Sequence, residues 1–153
     1  MMSHQCSFEF DATDLAARDG IGGVIGRLRA SGLPATLVGD VELALVEAVN
    51  NVIEHAFGGK PGHRIAIHAR LSEAMLDLRI IDDGRPLPGG RVPQAKSLDP
   101  GLPRADLPEG GFGWTLIHQL TDQVDYQRRD ACNMLSLRFR LTGTPRTGRE
   151  IAP

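Results

Sequence analysis

Between Val41 and Phe57 the chain reads VELALVEAVNNVIEHAF, and at helical spacing Glu47, Asn50, Asn51, Glu54 and His55 fall at i, i+3, i+4, i+7 and i+8. Side chains that donate or accept hydrogen bonds therefore share one face. Leu43, Ala44, Leu45, Val46, Ala48, Val49, Val52 and Ile53 fill most of the remaining circumference, as in a helix buried on several sides. Burying a neutral polar group without a partner costs roughly 2–7 kcal/mol, and an ion more. The stripe is thus expected to face a ligand cavity; the competing reading is the exposed edge of an amphipathic helix. Two further segments offer complementary chemistry. Asp82-Asp83-Gly84 closes a strand, where a carboxylate can accept a hydrogen bond from an exocyclic amine and a glycine lets a flat ring approach the backbone. Gly110-Gly111-Phe112-Gly113 opens a helix, where free backbone N–H groups and the positive end of the helix dipole favour phosphate oxygens. Each has an ordinary reading too: both glycine-bearing segments are common turns, and Trp114 is a natural core aromatic.

The elements that must position these residues follow from patterning. Ser7 to Phe10 alternates as a short strand, expected at a sheet edge, and Asp11 or Thr13 can cap a helix from about Asp14 to Ala30. Gly20, Gly22, Gly23 and Gly26 weaken that helix by up to about 1 kcal/mol each relative to alanine, which implies close packing or a mobile segment. Pro34 leads into the central helix. Arg64 to Leu71 and Met75 to Ile81 alternate with period two and form a hairpin. Residues 85–110 lack periodicity, as a functional loop or lid does. A helix over Gly111 to Thr121 and a hairpin of Gln123 to Arg128 with Asn133 to Leu141 follow, and 142–153 read as a disordered tail. The expected fold is an α/β (α+β) two-layer sandwich over 1–141, with a mostly antiparallel, mixed sheet and helices on one face.

Composition narrows the function classes. The 153 residues fit one domain, and 41% hydrophobic with 24% charged residues is the balance of a globular protein. A net charge of −2 leaves no electrostatic footprint for nucleic acid or an anionic membrane. Cys6 and Cys132 make neither a metal-ligand spacing nor a disulfide framework, which suits a cytoplasmic setting, and no apolar run reaches the roughly 20 residues of a membrane span.

Taken together and in order, these segments resemble the GHKL superfamily, the Bergerat-fold ATP-binding domains, and within it the anti-sigma factor serine/threonine kinases of the RsbW- and SpoIIAB-like branch. Glu47-Ala48-Val49-Asn50-Asn51 with Ile53-Glu54-His55-Ala56 looks like the N-box, Asp82-Asp83-Gly84-Arg85-Pro86 like the D-x-G box, and Gly111-Phe112-Gly113-Trp114-Thr115 like the G-x-G box. Tyr126 and Asn133-Met134-Leu135-Ser136-Leu137 resemble that branch's last two strands. The resemblance implies that ATP and Mg²⁺ are bound, that Asn51 coordinates the Mg²⁺, and that Glu47 is the catalytic base activating the attacking hydroxyl. It further implies that Asp82 meets the adenine amine, that Gly84 lets the base approach, and that Gly111, Gly113 and Thr115 hold phosphates, with Phe112 in the same box. His55 is a further candidate nucleotide contact on the stripe. The implied partners are a STAS-type anti-sigma factor antagonist, which would be phosphorylated, a sigma factor, and a second copy of the chain. One departure stands out: Pro108 and Glu109 lie where the branch often carries a lid arginine, so Arg104 or a partner's arginine would have to replace it. The alternative function is a regulatory module that binds ATP without transferring phosphate.

Overall fold

The computed structural model describes residues 3–94 and 112–141. The bulk of the expected lid from 95 onward, Gly111, the side chain of Phe112 and the tail from 142 lie outside the described residues. The elements are β1 (His4–Asp11), α1 (Asp14–Ala30), α2 (Ala35–Asn51), β2 (Arg64–Leu71), β3 (Met75–Asp82), α3 (Phe112–Leu120), β4 (Gln123–Arg129) and β5 (Cys132–Arg140). One turn of π-helix, Val52–Ala56, prolongs α2.

The strands pair in the order β1-β2-β3-β5-β4, with every pairing antiparallel. The sequence predicts a mostly antiparallel, mixed sheet, and the connections explain why no parallel pair forms among the described strands. Two helices in succession return the chain to the end it left, so Asp11 at the close of β1 pairs with Arg64 at the opening of β2. After β3 the single helix α3 carries the chain back, and β5 enters between β3 and β4, so β3 and β4, which run the same way, never touch. The β4–β5 hairpin turns through Asp130 and Ala131, both at positive φ (53° and 63°), the geometry of a tight turn matched to strand twist. β1 is indeed an edge strand.

The helices cover one face of the sheet. Ile65, Ile67, Leu76, Leu78, Ile80, Leu137 and Phe139 point inward and are buried, while Arg64, His68, Arg70 and Arg79 alternate onto the open face and are exposed. Each fully buried aliphatic side chain of this kind contributes about 1.5–3 kcal/mol. Thr13 caps α1 by accepting from the Ala16 N–H at 3.2 Å. The glycines of α1 divide by face. A Cβ on Gly20 would stand 2.3 Å from the Phe10 ring and one on Gly23 2.7 Å from the Phe8 ring, so these two let α1 lie directly on β1. Close packing is therefore the reason for them. Leu43 departs from the sequence reading: at 40% exposure it lies on the outer side of α2, which is less enveloped than its composition implied.

Candidate functional site

A cavity of about 600 Å³ opens between the end of α2, the end of β3, the start of α3 and the β4–β5 hairpin. Asn51, His55, Asp82, Trp114, Tyr126 and Asn133 are among the residues that line it. Its volume suits a nucleotide base with its sugar.

Asp82 ends β3 with its side chain on the inward face, 5% exposed. Its Oδ1 accepts from the Gly84 N–H at 2.9 Å and from Asn133 Nδ2 at 2.8 Å. Burial pushes the Asp82 carboxyl above the usual carboxylate range; the hydrogen bonds from Asn133 and Gly84 oppose that push, and the neighbouring Asp83 charge adds to it. Gly84 is required for a reason closer than a ligand. A Cβ there would lie 2.6 Å from the Ala56 carbonyl oxygen, and the Arg85 N–H donates to that same oxygen at 2.8 Å. The Arg85 guanidinium donates to the His55 carbonyl at 2.9 Å, so the last carbonyls of the helical segment are satisfied by the D-x-G box.

The polar stripe is not one α-helical face. From Val52 the backbone widens into the π turn, so residues beyond Asn51 fall out of the 3.6-residue phase. Glu54 is consequently exposed and away from the cavity, whereas His55, also exposed, lines it. Asn50 is half-buried and does not line it. Among the described residues, Asn51 Nδ2 is the buried side-chain polar atom without a hydrogen-bond partner. Glu47 lies one turn earlier, beyond the rim of the cavity and against the amino end of α3. A Cβ on Gly113 would stand 2.8 Å from Glu47 Oε2 and 3.7 Å from both amide atoms of Asn51, so the start of α3 lies directly against the pair and a larger residue there would push the Glu47 carboxylate aside. Thr115 is buried and lines no part of the cavity, and Trp114 belongs both to the core and to the lining. Gly111 and the Phe112 side chain fall outside the described residues.

Two residues that the sequence reading noted only as family-like strand positions prove central to the site. Asn133 and Tyr126 reach it from β5 and β4, and Asn133 pairs directly with Asp82 across the sheet. A signal existed: in NMLSLRF the inward positions are Asn133, Leu135, Leu137 and Phe139, so a polar residue stands where the pattern demands an apolar one.

No group of three or more His, Cys, Asp or Glu among the described residues could hold a metal by protein ligands alone. A Mg²⁺ ion keeps waters and phosphate oxygens and takes few protein oxygens. The Asn51 amide oxygen beside the Glu47 carboxylate is the oxygen set such an ion calls for, and the unpartnered Nδ2 is a hydrogen-bond donor suited to a phosphate oxygen.

An antiparallel sheet covered on one face by helices, with a base-sized cavity at the end of its central strands and an acid at the strand end, defines an α+β sandwich with a ligand cavity. The chain belongs to the histidine kinase-like ATPase domain family, which matches residues 12–139. It is 38% identical over 96 residues to the serine/threonine-protein kinase BtrW of Bordetella bronchiseptica, covering 60% of this chain and 62% of that protein. It is 27% identical over 120 residues to the serine-protein kinase RsbW of Halalkalibacterium halodurans, covering 74% of this chain and 73% of that one. Among solved structures, the RsbU and RsbW domains of a Mycobacterium tuberculosis protein superpose with a TM-score of 0.59 at 18% identity, over 90% of this chain and 32% of that one. The GHKL-type fold and the kinship with the RsbW and BtrW kinases are thus established. No helix among the described residues is long and apolar enough to cross a membrane.

Proposed function

We propose that the protein is an anti-sigma factor kinase: it binds Mg-ATP in this cavity and transfers the terminal phosphoryl group to a serine or threonine hydroxyl of a STAS-type antagonist, so that a sigma factor is held or released by partner switching. The single observation that carries the reading is the meeting of Glu47 Oε2, the unsatisfied Asn51 amide and Gly113 at the amino end of α3. The names of the relatives support it.

In this reading Asp82 accepts a hydrogen bond from the adenine amine, with Trp114 and Tyr126 walling the base. Asn51 offers its amide oxygen to the metal, and the Gly113 region with Gly111 and Thr115 supplies the phosphate seat, under a lid spanning 85–110. Bound Mg²⁺ neutralises phosphate charge. Glu47 orients the acceptor hydroxyl and takes its proton as the hydroxyl oxygen bonds to the γ-phosphorus and the bond to the β–γ bridging oxygen breaks, leaving ADP. His55, exposed at the rim, borders the ribose side. The protein acts in the cytoplasm as a homodimer, through the β1 edge or the outer face of α1, where Gly22 and Gly26 have open space above them.

The test is to incubate the full chain with radiolabelled ATP, Mg²⁺ and a candidate antagonist. Phosphoserine or phosphothreonine that disappears in Glu47→Gln is expected. A second reading, an ATP-binding regulatory module without transfer, is favoured by Glu109 at the place of a lid arginine. Calorimetric ATP binding without any phosphoprotein would select it.

A further inference from the structure

The β4–β5 hairpin sends into the cavity a hydrogen-bond junction for which neither the phosphate chemistry nor the sheet has a use. Asn133 is 4% exposed and saturated at both ends of its amide. Its Oδ1 accepts from the Tyr126 hydroxyl and from Arg128 Nη1 at 2.8 Å. Its Nδ2 donates to Asp82 Oδ1 at 2.8 Å, with the Arg85 carbonyl at 3.0 Å and the Gly84 carbonyl at 3.2 Å also in reach. This amide has one workable orientation. Turned over, its NH₂ would face two donors and its oxygen would face a carboxylate and two carbonyls. The Tyr126 hydroxyl is fixed in turn, because it accepts from the Leu87 N–H at 3.1 Å while donating to Asn133. Arg128 closes the ring by donating to the Gly84 carbonyl at 2.9 Å.

We infer that Asn133, held by Tyr126, is the positioning residue that sets base selectivity: it occupies one oxygen of Asp82 so that only the other is left to the ligand. Asp82 Oδ1 already receives two N–H groups, and Oδ2 has no partner among the described residues. A carboxylate pinned in this way presents a single fixed acceptor. It favours a 6-amino purine, which brings a donor, over a 6-oxo purine, which brings an acceptor to the same place. Released from Asn133, Asp82 can turn, pick up a proton or meet the N1–H of a 6-oxo base instead. The inference rests on the proposed nucleotide reading of the cavity.

The experiment measures ATP and inosine triphosphate affinities, with Mg²⁺, for the full chain and for Asn133→Ala and Tyr126→Phe. The unaltered protein is expected to prefer ATP by at least about tenfold, the worth of one hydrogen bond to a charged group. Asn133→Ala is expected to weaken ATP by about tenfold while inosine triphosphate stays within about threefold, so that selectivity collapses. Tyr126→Phe, which removes one oxygen and keeps the ring, should shift the ratio the same way by about threefold, and it carries the test if Asn133→Ala does not fold. An equal loss for both nucleotides, or an unchanged ratio, overturns the role of Asn133 and leaves ATP binding standing. If the unaltered protein binds neither nucleotide, the nucleotide reading itself falls, and the inference with it.

Discussion

The proposed base seat, in the cavity, and the proposed phosphate seat, at its rim, differ in how completely the protein has satisfied its own polar groups. At the base end, Asp82, Asn133, Tyr126, Arg128 and the backbone of residues 84–87 close on one another with hydrogen bonds drawn from three strands and a loop. At the phosphate end, the Asn51 amide nitrogen is buried without a partner, and the Glu47 carboxylate is packed toward the start of α3. Leaving a buried polar atom unsatisfied costs about 1–3 kcal/mol. In the proposed reading the protein therefore presents a finished seat for the base and an unfinished one for the charged groups, whose arrival would supply the missing interactions. That division suits a kinase, since a fixed base seat sets the register of the ligand while the reacting end is completed only when the ligand is present.

Several measurements would sharpen or break this contrast. The largest effect is expected at the unfinished end: Glu47→Gln should lower phosphoryl transfer by about 10²–10⁴-fold with ATP affinity within a few-fold, read from transfer rates beside calorimetry. Equal loss of binding and transfer would mean that Glu47 holds the nucleotide rather than the proton. Asn51→Ala should remove the Mg²⁺-dependent part of ATP affinity and spare the metal-free part, seen by titrating ATP with and without the ion. At the finished end, Asp82→Asn should weaken ATP by about 10–100-fold, the worth of a hydrogen bond to a charged acceptor. Gly84→Ala should lower unfolding free energy in urea by about 1–3 kcal/mol, because its Cβ would overlap the Ala56 carbonyl and the D-x-G box would have to back away. The smallest effect is on pH dependence. Asp82 titrates above its unfolded value, so the folded state holds that proton more tightly. This contribution to stability is complete below the ordinary carboxylate range and is lost as pH rises through the raised value. Denaturant melts across that window should show the loss in the native chain, and it should vanish in Asp82→Asn.

Much of this was legible in the linear chain. Period-two alternation marked β2 and β3, and the helical repeat with Thr13 ahead of it placed α1 at Asp14–Ala30. What failed was phase and context. The stripe reading assumed 3.6 residues per turn through His55, and the π turn at Val52–Ala56 removed Glu54 from the set while keeping His55. For Gly84 the sequence offers only a ligand's approach, and the fold adds a close neighbour, Ala56, contributed by another element. Thr115 matches the motif by position, and only the fold shows that it is buried and lines no part of the cavity.

Residue type and local spacing by themselves determined where the helices and strands run and which carboxylates and amides stand near helix and strand ends. Those features depend on interactions a few residues long. Tertiary structure alone decided that Asn133 grips Asp82 from 51 residues away, that Gly113 meets Glu47, and that the Asn51 Nδ2 is buried without a partner among the described residues. Such pairings depend on strand register and on the angle at which helices cross the sheet, and the packing of the whole core sets both.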